Sequence, residues 1–90
     1  EVKARKDGGD EAFLIIFDYQ DEQNYAWWNI GGWGNTKNAI EVCRNGSKTQ
    51  YSNVNYSITQ GEWYDLKVVV YNSSVKCYIN GNLLHEFSIP

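Results

Sequence analysis

The chain has 90 residues, of which 42% are hydrophobic and 16% aromatic, and its formal net charge is -3 at pH 7. A chain of this length forms one domain with a thin margin of stability, and it leaves no room for a separate catalytic domain. The negative charge argues against a nucleic-acid partner, because binding a phosphate backbone requires clustered Lys and Arg. The longest apolar run, Ala12 to Phe17, is far shorter than the roughly 18 residues that cross a bilayer, so we expect no membrane partner.

The composition of the segments predicts an all-β protein. Aromatic and β-branched residues dominate eight stretches, whereas Gly, Asn, Asp and Ser collect between them about every ten residues. The predicted strands are 1–6, 12–18, 24–30, 38–44, 51–58, 63–71, 74–80 and 83–89. The pairs Asn45-Gly46 and Asn80-Gly81, and the stretch 7–10, tolerate the positive φ angles that tight hairpins require. The strands should therefore pair as antiparallel hairpins.

Both ends of the chain look like the interior of strands. Residues 1–6 alternate between apolar and polar side chains, and the strand predicted near the C-terminus continues into Pro90, the only proline. Residues 12–17 are apolar on both strand faces, which suits a central strand, or one whose second face meets further parts of a larger protein. We therefore expect 1–90 to be a single β-sandwich module from a larger multidomain protein, incomplete at both ends.

The sequence offers little support for a cofactor. Cys43 and Cys77 are the only cysteines, and their spacing fits neither a zinc site nor a redox motif, so buried free thiols and a disulfide both stay open. Asp18, Asp21 and Glu22 crowd one loop, where calcium is an alternative to a solvated acidic turn, although the twelve-residue calcium-loop pattern is absent. We expect no metal or other cofactor.

Three tryptophans, Trp27, Trp28 and Trp33, lie within seven residues. Neighbouring residues on a strand point to opposite faces, so either Trp27 or Trp28 faces away from the core. An exposed indole beside amides and carboxylates suits a sugar, because the C–H face of the sugar lies on the ring while its hydroxyls bond the polar groups. The alternative is that all three are structural, since large aromatic side chains also fill cores.

Four residues are the candidate sugar contacts. They are Trp28, Trp33, Asn35 and Glu41. Glu41 follows the glycine-rich loop, where it could accept hydrogen bonds from a ligand hydroxyl or bind the backbone amides of the loop. We identify no catalytic residue.

Two parts of the chain resemble known sandwich domains. Residues 13–17, 24–35 and 39–41 resemble the concanavalin-like jelly-roll domain that accompanies bacterial α-L-arabinofuranosidases. Residues 61–68 and 75–81 are similar to the closing strands of laminin-G-like and exo-inulinase-type sandwiches. The resemblance implies a two-sheet antiparallel sandwich that binds a glycan or supports a catalytic domain of the same chain, with the catalytic carboxylates in that other domain.

Three functions follow as hypotheses. The first is a noncatalytic carbohydrate-binding or accessory module of a secreted or cell-surface bacterial glycoside hydrolase, of the α-L-arabinofuranosidase type, that acts on plant polysaccharides containing arabinose. The second is a structural sandwich that packs on the catalytic domain, where exposed aromatic side chains form a protein interface. The third is a jelly-roll glycosidase with its own pair of carboxylates.

Overall fold

The computed structural model describes residues 1–9 and 12–88. The secondary-structure elements in this part of the chain are β1 Val2–Arg5, β2 Phe13–Asp21, β3 Asn24–Gly31, α1 Gly32–Asn35, β4 Lys37–Arg44, β5 Ser47–Asn55, β6 Trp63–Tyr71, β7 Ser74–Ile79 and β8 Asn82–Ser88. The strands form sheet A, in the order β1-β6-β7-β8, and sheet B, in the order β2-β3-β4-β5. Neighbouring strands are antiparallel throughout both sheets. The predicted all-β, two-sheet β-sandwich is confirmed.

Asparagine-glycine turns fix two of the hairpins. Asn45 and Gly46 have φ angles of 52° and 78°, and Asn80 and Gly81 have φ angles of 50° and 81°. Two consecutive left-handed residues form the turn that matches the twist of paired strands. The first turn pairs Arg44 with Ser47, so β5 begins at Ser47 and not near residue 51 as predicted. This strand was hard to place because most of its side chains are polar and exposed.

The core lies between the two sheets. Sheet B contributes Ala26, Trp28, Ile30, Ile40 and Val42, and sheet A contributes Leu66, Val75, Cys77 and Ile79. Each set alternates along its strands with side chains on the outer surface, as antiparallel sheets with one covered face require. Each of these strands therefore has one face in the core.

Strand β2 is an edge strand of sheet B, and not a central one. Its inner-face side chains Phe13, Ile15 and Phe17 pack against the core, whereas Leu14 and Ile16 are 49% and 53% exposed. Of the two interpretations of this segment, the central strand is wrong for the described residues, because the sheet continues on one side of β2 only. The other interpretation, that its second face meets further parts of a larger protein, stays a prediction. The apolar pattern instead leaves two large side chains on the surface.

The two cysteines are free thiols, and they lie in different sheets, Cys43 in sheet B and Cys77 in sheet A. Cys43 pairs with Tyr25 on β3, on the face of sheet B that points away from sheet A. Cys77 lies in the core between the sheets, where burial raises the pKa of its thiol to about 12. The free-thiol alternative is confirmed, and Cys77 is held in its unreactive protonated form.

A polar group interrupts the apolar core at His85. This side chain is 1% exposed, its Nδ1 lies 2.7 Å from Ser52 Oγ, and its ring meets Trp28 edge-on at 6.0 Å. Burial lowers the pKa of His85 to about 4, so the imidazole is neutral at pH 7.

In the described residues, no helix has the length and apolar character needed to span a membrane.

Candidate functional site

The side chains of sheet B that point away from sheet A form a surface that we call the outer face of sheet B. The strand register places Trp27 between Ile16 and Glu41 on this face, and Glu41 lies beside Gln50 of β5. The face comprises Leu14, Ile16, Tyr19, Tyr25, Trp27, Asn29, Lys37, Ala39, Glu41, Cys43, Lys48, Gln50, Asn53 and Asn55. It therefore presents an indole, amides and a carboxylate on one rigid sheet.

Trp27 is fixed in place by contacts on several sides. Its Nε1 donates a hydrogen bond of 2.9 Å to Glu41 Oε1, and Asn29 Nδ2 donates to the same oxygen at 3.4 Å. The ring of Tyr25 lies 4.7 Å from the indole, centroid to centroid. The Lys48 ammonium lies 5.0 Å from the Trp27 ring centroid and 3.9 Å from Glu41 Oε2. The indole is thus held before any ligand arrives, which lowers the entropic cost of binding.

A shallow cavity opens beside the indole. It has a volume of about 290 Å³ and is lined by Ala12, Phe13, Leu14, Trp27 and Asn29. This size lies near the lower end of the roughly 300–1,000 Å³ of small-molecule sites. The lining combines apolar side chains with one amide, which is the composition that suits an amphipathic ligand of the size of one or two sugar rings.

Trp27 and the side chains around it, namely Leu14, Asn29, Glu41 and Lys48, form what we call the Trp27 cluster, and its chemistry suits neutral hydroxylated ligands. The indole and Leu14 offer apolar surface to the C–H groups of a sugar, while Asn29 and Glu41 offer donors and acceptors to its hydroxyls. Lys48 offsets the charge of Glu41, so the pair adds no strong preference for a charged ligand. The arrangement can bind and orient a ligand.

Trp28 does not belong to this surface. Its side chain is fully buried, and its Nε1 donates a 2.7 Å hydrogen bond to Asn38 Oδ1 inside the core. The choice of Trp28 over Trp27 as a sugar contact is corrected, because strand alternation turns Trp28 toward sheet A and Trp27 toward solvent. The tryptophan that faces away from the core, which strand alternation predicts for one of the two, is Trp27.

Trp33 and Asn35 lie in the tight loop that joins β3 to β4. Trp33 is 42% exposed and has a φ angle of 52°, so its side chain stands out from a left-handed turn. The side-chain amide of Asn35 donates a hydrogen bond to the Ile58 carbonyl and accepts one from the Ile58 N–H, both at 2.8 Å. Asn35 therefore ties this loop to the segment before β6, and its ligand role stays a prediction.

Glu41 is the predicted residue that joins the cluster. It is 8% exposed, and it accepts hydrogen bonds from the Trp27 and Asn29 side chains. Binding of loop backbone amides, one of its two predicted roles, does not occur in the described residues. Its other oxygen, Oε2, faces Lys48 and is the atom best placed to accept a ligand hydroxyl.

Sequence reasoning missed Trp27 and Asn29, although a signal was present. Residues two apart on a strand share a face, so Trp28 shares its face with Ala26 and Ile30, which are wholly apolar. Trp27 shares its face with Asn29, an amide. The polarity of the i±2 neighbours thus distinguishes the outward tryptophan from the inward one.

The acidic residues after β2 are used locally. Asp21 accepts hydrogen bonds from the Gln23 backbone N–H at 2.8 Å and from Asn24, and the first of these lowers the pKa of its carboxyl. Asp18 pairs instead with Arg44, at 3.1 Å. Across 1–9 and 12–88, no group of three or more His, Cys, Asp or Glu side chains is placed to hold a metal ion.

Comparisons with known proteins place the fold. The sequence matches no protein-family model. It is 42% identical over 80 residues to an extracellular exo-α-L-arabinofuranosidase of Streptomyces chartreusis; the match takes in 89% of this chain and 10% of that protein. The chain therefore spans about a tenth of the length of this relative.

A solved structure has the same architecture. The carbohydrate-binding module CBM66 of Bacillus subtilis superimposes with a TM-score of 0.76 over 97% of this chain and 55% of that chain, at 20% sequence identity. The protein has the fold of a β-sandwich module. Because the identity is low, this similarity establishes the fold but not the ligand. Any ligand has to be inferred from the residues on the outer face of sheet B.

Proposed function

We propose that this chain is a noncatalytic carbohydrate-binding module of an extracellular bacterial glycoside hydrolase of the α-L-arabinofuranosidase type. Residues 1–90 are one sandwich module of a longer polypeptide, with a concanavalin-like jelly-roll topology. Its ligand is a plant polysaccharide that contains arabinose, or a closely related one. The module keeps the catalytic domain of the same polypeptide near that polysaccharide.

Two similarities support this proposal. The relative from Streptomyces chartreusis is named an extracellular exo-α-L-arabinofuranosidase and is about ten times longer than the matched segment, which leaves ample chain for a catalytic domain. The structural neighbour is a carbohydrate-binding module. Together they favour an accessory role outside the cell.

The observation that carries the proposal is the fixed indole of Trp27 on the outer face of sheet B. Its N–H is bound by Glu41, so the ring cannot turn away from the surface without losing that bond. A sugar ring that lies on it finds Asn29, Lys48 and Gln50 within the same face. Trp33, at the loop beside the sheet end, is proposed as a second contact.

Isothermal titration calorimetry of the protein against arabinose, arabinoxylan, arabinan and fructan oligosaccharides tests the proposal. We expect saturable binding to at least one of the arabinose-containing ligands, and we expect Trp27→Ala to weaken it about fivefold or more, because loss of one stacking aromatic removes about 1–3 kcal/mol. Trp33→Ala should weaken it less. The matched control is Trp63→Ala, which removes a 63% exposed indole from sheet A and should leave the affinity unchanged.

Equal losses for Trp27→Ala and Trp63→Ala would move the binding surface away from the outer face of sheet B. Absence of heat with every sugar, together with an intact fold by circular dichroism, would contradict the carbohydrate-binding function itself.

A second function is supported by the apolar part of the same face. Leu14 and Ile16, about half exposed, lie next to Trp27 and Asn29 in the register, and exposed apolar side chains of this kind mark protein interfaces. In this alternative the sandwich packs on the catalytic domain and binds no sugar. Ile16→Lys discriminates the two, since it should abolish domain packing in one case and leave sugar affinity nearly unchanged in the other.

The glycosidase alternative has less support. Glycoside hydrolysis uses two carboxyl groups about 5–9.5 Å apart. Glu41 is the single carboxylate on the outer face of sheet B among the described residues, and its partners are an indole, an amide and a lysine. The site therefore supports binding without hydrolysis.

A further inference from the structure

A second cleft lies between the two sheets at one end of the sandwich, and we call it the end cleft. It has a volume of about 380 Å³ and is lined from sheet B by Phe17, Asp18, Gln20 and Arg44, and from sheet A by Val70, Asn72 and Ser73. None of these residues belongs to the outer face of sheet B. The end cleft is thus separate from the Trp27 cluster.

The polar centre of the end cleft is an ion pair that the protein holds in place. Arg44 Nη2 lies 3.1 Å from Asp18 Oδ2, and Arg44 Nη1 donates to the carbonyls of Cys43 and Tyr25 at 3.0 and 3.4 Å. The side chains of Arg44 and Asp18 are 29% and 26% exposed. A guanidinium with three hydrogen bonds to fixed acceptors is preorganised and does not sample many rotamers.

Two polar atoms of this pair have no hydrogen-bond partner among the described residues. Asp18 Oδ1 and Arg44 Nε make no hydrogen bond with any residue that the structure describes. One is an acceptor and the other a donor, and they belong to side chains that touch each other. Such a neighbouring acceptor and donor match two adjacent hydroxyls, one of which donates while the other accepts.

The rest of the lining favours a neutral ligand with an apolar side. The ion pair balances its own charge, so the end cleft lacks the excess positive charge that an anion requires. Phe17 and Val70 offer apolar surface, and Gln20 and Asn72 offer amides. The volume accommodates a ligand of monosaccharide size, at the lower end of the range of small-molecule sites.

We propose that the end cleft is a second binding site, which takes a single neutral sugar or polyol through adjacent hydroxyls bound by Asp18 and Arg44. The proposal does not depend on the Trp27 cluster. A protein with both sites would hold a polysaccharide on the sheet face and a chain end or side branch in the end cleft, and two linked sites increase overall affinity through effective concentration.

Nuclear magnetic resonance titration of the protein with L-arabinose tests this site. We expect saturable shifts of the amide signals of Gln20, Asn72 and Ser73 at millimolar sugar, and these shifts should persist in Trp27→Ala. Ser73→Tyr, which places a ring at an exposed turn position of the cleft, should abolish them. Asp18→Asn should weaken sugar binding about tenfold, because it replaces the charged acceptor.

Sodium sulfate serves as a second probe, which is titrated into both the wild-type protein and Asp18→Asn. The wild-type protein should show no saturable response to sulfate at the cleft signals, whereas Asp18→Asn should gain one because Arg44 is then uncompensated. Cleft signals that respond to sulfate and not to L-arabinose in the wild-type protein would overturn the proposal in favour of an anion site. Cleft signals that respond to neither probe would overturn it as well.

The two proposals can fail separately. Sugar shifts at Gln20, Asn72 and Ser73 without any response of the Trp27 indole signal would support the end cleft and contradict the outer face of sheet B as a sugar site. Shifts confined to the Trp27 indole, which Trp27→Ala removes, would do the reverse.

Discussion

Trp27 and Trp28 are neighbours in sequence, yet they serve opposite surfaces of one sheet. Each indole N–H donates to a side chain of β4, Trp27 to Glu41 at 2.9 Å and Trp28 to Asn38 at 2.7 Å. The first bond uses a largely buried carboxylate on the outer face of sheet B, and the second uses an amide within the core. The same type of cross-strand bond therefore occurs twice in this sheet, once where it fixes the indole of Trp27 on the outer face and once where it fixes the indole of Trp28 in the core.

This difference shows how a two-sheet sandwich separates function from stability. Trp28 lies between the sheets, where its removal leaves a cavity. Trp27 lies on a single sheet, where its removal leaves solvent. Substitutions on the inner face should therefore lower mainly the free energy of unfolding, whereas substitutions on the outer face should lower mainly the affinity for the proposed ligand.

The largest effect should come from Trp28→Ala. Removing a fully buried tryptophan costs about 3–5 kcal/mol through lost transfer free energy and the cavity that remains, and it also leaves Asn38 Oδ1 without its donor. For a small domain this is a large part of the total stability. Urea denaturation followed by fluorescence measures it, and Trp27→Ala, the matched control, should lower the free energy of unfolding by about 1 kcal/mol. Equal costs for the two variants would contradict the assignment of faces.

A smaller effect should arise from the titration of His85 beneath Trp28. Its folded-state pKa of about 4 lies below its ordinary value of 6.5, so between these pH values the unfolded chain binds more protons. The free energy of unfolding should thus fall by about 3 kcal/mol as the pH falls from 6.5 to 4, and the His85 contribution should level off within about one pH unit beyond either end of this range. Cys77, which pairs with His85, does not titrate there because its pKa is about 12.

Urea denaturation at a series of pH values measures this slope. His85→Gln keeps an acceptor for Ser52 and cannot titrate, so the variant should lose the pH dependence between 6.5 and 4. A slope that is the same in the variant and in the wild-type protein would assign the acid sensitivity to other groups.

The smallest change in stability should come from Glu41→Gln. The amide still accepts from the Trp27 indole, so the free energy of unfolding should fall by about 1 kcal/mol or less, while sugar affinity should fall about tenfold because a charged acceptor is lost. The control is Glu86→Gln, which removes a carboxylate paired with Lys76 at 3.5 Å on sheet A. Calorimetric titration should show unchanged affinity for the control. A loss of stability without a loss of affinity would make Glu41 a structural residue.

Most of the fold could be predicted from the sequence because its signals are local. Alternation in residues 63–71 and 74–80 marks β6 and β7, and asparagine-glycine pairs mark the turns. Strand β5 was placed too late because it lacks apolar alternation. A central position was one of two interpretations of β2, because its apolar side chains occupy both faces. Its position at a sheet edge depends on which strands are present around it, and the pattern of β2 alone does not contain that information.

The site was predicted in part. The presence of an outward tryptophan followed from strand alternation, and Glu41 was chosen because it follows the glycine-rich loop. The structure brings Trp27 and Glu41 together, whereas their role as sugar contacts stays a prediction. The end cleft could not be found, because it joins Asp18 and Arg44 with residues 70–73 through the packing of two sheets. Such contacts depend on tertiary geometry that a single sequence does not specify.

The close packing of the β3–β4 loop has a consequence for anyone who uses this sandwich as an engineering scaffold. A Cβ atom on Gly32 would lie 2.7 Å from Asn29 Oδ1, and one on Gly31 would lie 2.8 Å from Ala12 Cβ. Gly46 and Gly81 have no atom within 4 Å of such a position. Their φ angles of 78° and 81° nevertheless strain any other residue, so variation in the asparagine-glycine hairpins should keep both glycines, whereas diversity in Gly31-Gly32 would displace Asn29 and reshape the outer face of sheet B.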